Sequence, residues 1–220
     1  MKYLLVLLCL ICDITYIICK ARNINKIGVI AKTIAAFCFI FLAYPNNGIF
    51  ESEFHLTIFV ALVFDGIGDL LLSIRNINND RKWLIIGGLA FMVGHVLFVG
   101  GLLELNVFEN RIIQFMNIGE IIGIIVIHAI TYKTNLSKPL KIFGYIYGAL
   151  IFAMLFMSIC TYIDYRYLYN LIFLIGISLF VSSDVILIRY NFVHKDKWMH
   201  PTYSLCYFIG QILIAVSLNL

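Results

Sequence analysis

Residues 56–74 read LTIFVALVFDGIGDLLLSI, an apolar run interrupted by only two charged side chains, Asp65 and Asp69. A helix needs about 20 mostly apolar residues to cross a hydrocarbon core of roughly 30 Å. Because a backbone in lipid must satisfy its own hydrogen bonds, such a run predicts a transmembrane helix. Charged side chains are costly at that depth, so the two aspartates also make this segment a candidate functional element.

The rest of the 220-residue chain has the same character. Hydrophobic residues make up 62% of the sequence and charged residues 13%, whereas globular proteins average about 45–50% and 25%. We therefore predict an all-α polytopic membrane protein with eight transmembrane helices, forming a single transmembrane domain over residues 1–220. The eight apolar stretches lie at about 3–19, 27–44, 56–74, 84–103, 112–131, 141–162, 168–189 and 201–219.

The distribution of basic residues predicts the orientation of these helices. The first, third, fifth and seventh connections each hold three Lys or Arg residues, and the others hold none or one. By the positive-inside rule the odd connections are cytoplasmic and both termini lie on the non-cytoplasmic side. The membrane would be the endoplasmic reticulum in a eukaryote or the inner membrane in a bacterium. Topology accounts for the net charge of +4, so no nucleic-acid partner is expected.

Two segments recur four helices further along the chain. Gly68-Asp69 is followed by three leucines, and Ser183-Asp184 by Val-Ile-Leu, 115 residues later. Likewise, residues 91–95 (FMVGH) resemble residues 207–211 (YFIGQ), 116 residues later. This pattern predicts parallel repeat halves, residues 1–104 and 105–220, of a kind also known in transporters. Chance similarity between hydrophobic helices is the alternative.

Several polar side chains fall at matched depths. Lys32 lies six residues after Lys26, Asp69 six before Arg75, and Asp184 five before Arg189. At 1.5 Å per residue, all three lie about 8–9 Å below the cytoplasmic headgroups. A second tier lies roughly 15–20 Å down and contains Asp65, His95, Gln211 and Glu120. Together the two tiers predict a polar cavity that opens toward the cytoplasmic leaflet.

Each of these residues also has a purely structural interpretation. Lys32 could extend to the interface, and Asp69 and Asp184 could pair with it or with loop arginines. His95 and Gln211 could hydrogen-bond across helices. We expect Asp13 to lie too close to the outer half to join the cavity, and we interpret it as structural. The Gly119/Gly123 and Gly144/Gly148 spacings predict close helix crossings.

Two carboxyl groups and a lysine at one depth admit acid–base chemistry. Crowded carboxyl groups titrate apart, so one keeps its proton while the other ionises against the lysine. The protonated group can act as general acid and the ionised group as base, the division of labour seen in glycosidases. The cysteines lack metal-site spacing, and no metal or cofactor is expected.

The chain resembles the YhhN/TMEM86 family of multi-pass membrane proteins, whose characterised animal members are lysoplasmalogenases. The resemblance extends from Lys32 to Gln211 and rests on short pieces in a fixed order. These pieces are Ala31-Lys32, residues 64–72 (FDGIGDLLL), Gly94-His95, Ser183-Asp184, and Tyr207 with Gln211. One departure is that Thr33 follows Lys32 where the family usually has proline, so the kink that proline gives is not expected.

The resemblance implies hydrolysis of the vinyl ether bond of a lysoplasmalogen, giving a fatty aldehyde and glycerophosphocholine or glycerophosphoethanolamine. On this hypothesis Asp69 and Asp184 are the catalytic acid and base, and Lys32 holds the phosphate of the lysophospholipid substrate. Asp65, His95, Tyr207 and Gln211 would contact substrate or orient water. The bond lies just below the lipid headgroup, near the depth of the two aspartates.

The main alternative is a small lipid or solute transporter with a midplane polar site. A transporter should present a second polar cluster in its outer half, where we find mainly Asp13 and the loop residues Glu51, Glu53 and Glu104. A catalytically silent scaffold would leave the matched depths unexplained. The sequence does not indicate the oligomeric state.

Overall fold

The computed structural model describes residues 2–46, 48–78, 80–105 and 110–220. These residues form eight α-helices and no β-strand. The helices are α1 (Lys2–Ala21), α2 (Asn25–Ala43), α3 (Glu53–Asn78), α4 (Arg81–Leu105), α5 (Asn110–Thr131), α6 (Lys138–Asp164), α7 (Leu168–Phe192) and α8 (Met199–Ser217).

The eight helices predicted from the sequence are confirmed, although most are longer than their apolar stretches. The largest extensions are in α3, α4 and α6, which begin three residues before the predicted stretch and end two to four residues after it. Terminal turns can continue into the polar headgroup region, where water satisfies the free backbone groups. Within the described residues, α1 to α7 are long and apolar enough to cross a membrane.

Neighbouring helices pack as four hairpins, α1–α2, α3–α4, α5–α6 and α7–α8. Further contacts join α2 to α3 and α6 to α7. The two halves of the chain meet where α8 packs against α1 and α2, and where α4 packs against α6. Helices α2, α3, α4, α6, α7 and α8 therefore surround a common interior.

Small residues bring α5 and α6 into close contact. A Cβ atom at Gly123 would collide with the backbone carbonyl of Gly148, and one at Gly119 with the backbone of Phe152. Only glycine permits such an approach, so the predicted close crossing is confirmed at these positions. Gly144 does not take part in the same way, because a Cβ atom there would be 3.5 Å from the Ile127 side chain.

The bundle carries apolar side chains outside and polar side chains inside. Large hydrophobic residues such as Leu4, Ile27 and Phe41 are more than half exposed, as lipid-facing positions are. By contrast, Asp65 and His95 are fully buried. Since intramembrane ionisable groups are rare and face the bundle interior, this buried set is where a functional site is expected.

Candidate functional site

An ion pair joins α2 to α3 at the first predicted tier. Lys32 Nζ lies 2.7 Å from Asp69 Oδ1, and the two side chains are 12% and 2% exposed. The ammonium also lies 5.5 Å from the centre of the Tyr16 ring and 6.0 Å from that of Tyr207, within the range of cation–π attraction. Lys32 is therefore directed into the protein and does not extend to the interface.

Asp184 has different partners. The Tyr147 hydroxyl on α6 donates a 2.6 Å hydrogen bond to Asp184 Oδ2. His95 Nε2 lies 3.9 Å from the same oxygen, too far for a hydrogen bond. Asp184 thus faces a phenol and an imidazole, whereas Asp69 faces an ammonium.

A second contact spans α3 and α8 deeper in the bundle. Gln211 Nε2 donates a 2.7 Å hydrogen bond to Asp65 Oδ2, and both residues are fully buried. Asp65 and Asp69 lie one turn apart on α3, so they share a face of that helix. The structure therefore brings Asp65, His95 and Gln211 to the interior, as predicted, whereas Glu120 on α5 is only half-buried.

A polar chamber of about 240 Å³ connects the first-tier groups to one end of the bundle. Asp69, Asp184, Lys32 and Tyr207 all line it. Its other polar lining residues are Tyr16, Lys20, Arg75, Ser183, Tyr190, Asn191, Lys195, Tyr203 and Ser204. Lys20, Arg75 and Lys195 belong to the first, third and seventh connections or the helix ends beside them. The first predicted tier therefore lines a chamber at the end of the bundle rich in basic residues. Asp65, His95, Gln211 and Glu120 of the second predicted tier are not among its lining residues.

An apolar groove meets this chamber from the side. It is lined by residues of α3 to α7, among them Ile85, Gly88, Leu140, Phe143 and Ile188. Lining residues common to both spaces are Leu72, Leu84, Phe91, Asp184, Leu187 and Asn191. Asp184 consequently stands at the junction between a polar space and an apolar one.

Several buried polar atoms around this junction have no hydrogen-bond partner within the described residues. They are Asp65 Oδ1, Asp69 Oδ2, both ring nitrogens of His95, the Tyr207 hydroxyl and Gln211 Oε1. Buried donors and acceptors are satisfied in the great majority of cases, and leaving one unpaired costs about 1–3 kcal/mol. Such a concentration of unsatisfied groups is where an ordered water or a polar ligand is expected.

Two features of this site were not predicted. Tyr147 was overlooked because a tyrosine in an apolar helix usually indicates packing. Its sequence signal is its position 115 residues after Lys32, the same offset that relates Asp69 to Asp184.

Asp13 was placed outside the site, yet it is fully buried and accepts a 2.5 Å hydrogen bond from Ser204, a residue that lines the chamber. It lies seven residues before Lys20, about 10 Å along the helix, close to the depth of the first tier. Asp13 is therefore a neighbour of the site.

The sequence pattern that defines the YhhN family matches residues 27–218, which is most of the chain. The chain belongs to the YhhN family. Lys32, Asp69, His95, Asp184, Tyr207 and Gln211 all lie inside the matched region. No curated protein and no solved structure matches the chain significantly.

The donor set of the site is not that of a metal centre. Across the described ranges, no three His, Cys, Asp or Glu side chains come together closely enough to hold a metal ion. The groups that do meet are an ammonium, carboxyl groups, phenols, an amide and an imidazole. They are suited to proton transfer and hydrogen bonding.

Proposed function

We propose that this protein is an intramembrane hydrolase that cleaves the vinyl ether bond of a lysoplasmalogen. The observation that carries the proposal is that two carboxyl groups with unlike partners line one chamber, Asp69 beside Lys32 and Asp184 beside Tyr147. Unlike environments give paired carboxyl groups separate roles as acid and base. Membership of the YhhN family is consistent with a hydrolase of this class.

The partners suggest which carboxyl group takes which role. Asp69 is paired with a lysine at 2.7 Å, so it is the group that carries the negative charge. Its second oxygen has no partner among the described residues and can accept a proton from water. Within the described residues, no lysine or arginine lies at ion-pair distance from Asp184. We therefore assign the proton to Asp184.

The reaction balances with these two groups alone. Asp184 protonates the β-carbon of the vinyl ether, and the alkenyl group becomes an oxocarbenium ion. Asp69 takes a proton from water as the water oxygen bonds to the adjacent carbon, giving a hemiacetal. The hemiacetal loses its hydroxyl proton to Asp184 as the carbon–oxygen bond breaks, and Asp69 returns its proton to the departing alcohol oxygen. One water is consumed, and an aldehyde and a glycerol derivative are released.

The two connected spaces fit a substrate with one hydrocarbon chain. An alkenyl chain can lie in the apolar groove while the glycerol headgroup occupies the polar chamber. Asp184, which lines both, stands where the vinyl ether joins the chain to the glycerol. Tyr207 lines the chamber and would contact the substrate or the water. Asp65, His95 and Gln211 line neither space and would act from behind it, through contacts such as that of the His95 ring with Tyr147.

The experiment is a lipid-panel assay on purified protein in nanodiscs. Alkenyl, alkyl and acyl lysophospholipids are offered, and aldehyde, alcohol and acid products are followed by mass spectrometry. We expect aldehyde from the alkenyl lipid only, and a loss of about 100-fold or more in Asp69→Asn and Asp184→Asn. Asp164→Asn is the matched control, since Asp164 pairs with Arg111 away from the chamber.

Full activity in either site variant would remove this mechanism. Movement of lysolipid between leaflets without any product would instead support the transporter alternative. In that case the same chamber would be a transport site.

We further propose that α8 also spans the bilayer, with both termini on the non-cytoplasmic side. The support is that α8, 19 residues long, packs against α1, α2 and α7 along the bundle. A reporter fused after Leu220 should be active only if it folds on the non-cytoplasmic side. A cytoplasmic C-terminus would remove this topology.

Matched contacts also support a parallel repeat of two four-helix halves. The Lys32–Asp69 pair joins α2 to α3, and the Tyr147–Asp184 pair joins α6 to α7. Each member of the second pair lies 115 residues after its counterpart. The same geometric contact therefore recurs with a phenol in place of the ammonium.

A second set of contacts is related by nearly the same offset along the chain. Gln211 contacts Asp65, while His95 packs against Phe180 with ring centres 5.3 Å apart. Phe180 lies 115 residues after Asp65, and Gln211 lies 116 after His95. The pairs α2–α8 and α4–α6 are likewise exchanged by a shift of four helices. On this proposal one half supplies the ion pair and the other supplies the protonated carboxyl group.

A further inference from the structure

We propose that Arg75 and Lys195, at the mouth of the polar chamber, form the subsite for the phosphate group of the lipid substrate. Both line the chamber that contains Asp69 and Asp184. This inference rests on the proposed function for the identity of the lipid, but it concerns binding and is tested without catalysis.

The sequence analysis predicts that Lys32 binds the phosphate group. In the structure Lys32 is already bound to Asp69 at 2.7 Å, so a phosphate there would compete with a buried carboxylate. Breaking such a pair leaves an uncompensated buried charge, which costs several kcal/mol. The geometry therefore points to cations that line the same chamber without an acidic partner.

Arg75 and Lys195 meet this condition. Arg75 Nη1 donates a 3.3 Å hydrogen bond to the amide oxygen of Asn191, which holds the side chain across the ends of α3 and α7. Lys195 Nζ lies over the Tyr190 ring, 5.6 Å from its centre. No acid in the described ranges lies at ion-pair distance from either residue. Arginine in addition presents a planar donor set suited to phosphate oxygens.

The spacing along the chain agrees with the length of a lysolipid headgroup. Arg75 lies six residues after Asp69 on α3, a rise of about 9 Å. In an alkenyl lysophospholipid the phosphorus lies six bonds from the ether carbon, roughly 7 Å when extended, from bond lengths near 1.5 Å. A phosphate held by Arg75 therefore leaves the vinyl ether at the level of Asp69 and Asp184.

The basic residues of this end do not all face the chamber. Arg189 and Lys197 are exposed and line a surface depression that Lys195 also borders, but neither of the two lines the chamber. The enrichment of Lys and Arg in cytoplasmic connections, which sets the orientation of the helices, explains why basic residues gather at this end. It does not explain why Arg75 and Lys195 line the chamber. The comparison between the two pairs supplies a matched control with the same change in net charge.

The experiment measures binding of a lipid that cannot be hydrolysed. Protein in nanodiscs is titrated with 1-O-hexadecyl-glycerophosphocholine and, separately, with 1-O-hexadecylglycerol, which has the chain but no phosphate. The Arg75→Gln/Lys195→Gln variant should bind the phospholipid about 10- to 100-fold more weakly and hexadecylglycerol within about twofold of the unmodified protein. Retained hexadecylglycerol binding also shows that the variant folds. The Arg189→Gln/Lys197→Gln variant should bind both lipids normally.

Equal weakening for both lipids, or the same loss in the control variant, would overturn the subsite. A third arm uses inorganic phosphate alone, with thermal stability as the readout. If phosphate stabilises the protein as strongly as the phospholipid does, the site binds a free anion and the lipid assignment is wrong. A protein that hydrolyses no ether but shows the selective loss of binding would refute the proposed reaction and leave the subsite intact.

Discussion

Removing the charge of Lys32 should destabilise the protein strongly, because its partner Asp69 is buried. The ion pair is 2.7 Å long and its side chains are 12% and 2% exposed. At an effective dielectric constant of 20, two unit charges at that separation attract by about 6 kcal/mol. Removing one partner leaves the other charge unpaired, and we expect Lys32→Met to cost about 3–5 kcal/mol of unfolding free energy.

The measurement is a double-mutant cycle on reversible unfolding in bicelles. Asp69→Asn alone should also be destabilising, since it leaves the ammonium without its carboxylate. The combined variant should be more stable than the sum of the two single changes by about 2–3 kcal/mol. All three variants should lack hydrolase activity, so stability and catalysis separate in the combined variant.

A second ion pair of almost equal length serves as the control. Arg111 Nη1 lies 2.6 Å from Asp164 Oδ1, but the Arg111 side chain is 49% exposed. Solvent screening limits such a pair to about 1 kcal/mol or less, so Arg111→Met with Asp164→Asn should show little coupling. Equal coupling in the two cycles, or none at Lys32 and Asp69, would refute the assignment of a buried charge pair.

Two further predictions follow from single contacts. Tyr147→Phe removes the 2.6 Å hydrogen bond to Asp184 without changing the shape of the ring. We expect kcat to fall about 10-fold or more, with KM nearly unchanged. An unchanged kcat would contradict the role given to Asp184. Gly123→Ala places a methyl group against the backbone carbonyl of Gly148, so the free energy of unfolding should fall by about 1–3 kcal/mol. Gly100→Ala, with open space around the added carbon, should leave it unchanged in the same assay.

The sequence predicts the helices of this protein well because lipid leaves the backbone few alternatives. Each apolar stretch became a helix, and in most of them polar end residues extended it. Depth could be predicted too, since it depends only on the rise per residue: Lys32 and Asp69 lie at one level and do meet. Which side of a helix faces which neighbour depends on packing, and this is where sequence reasoning was incomplete.

Tyr147 and Asp13 illustrate that limit. A tyrosine among apolar residues carries no charge to mark it as functional, and its 115-residue offset from Lys32 gains meaning only when α6 places it beside Asp184. Asp13 was judged from its distance to the outer end of α1, while its hydrogen bond to Ser204 depends on how α8 packs against α1. Pairing between distant helices is a property of the fold that neither composition nor spacing specifies.

In the proposed reaction, the junction of chamber and groove at Asp184 would determine how the two products leave. The two products of ether hydrolysis differ sharply in solubility, one an oily aldehyde and the other a water-soluble phosphodiester. On that proposal the aldehyde would leave along the apolar groove and the phosphodiester through the polar chamber. Neither product then obstructs the other, and departure along two paths would make the reaction hard to reverse.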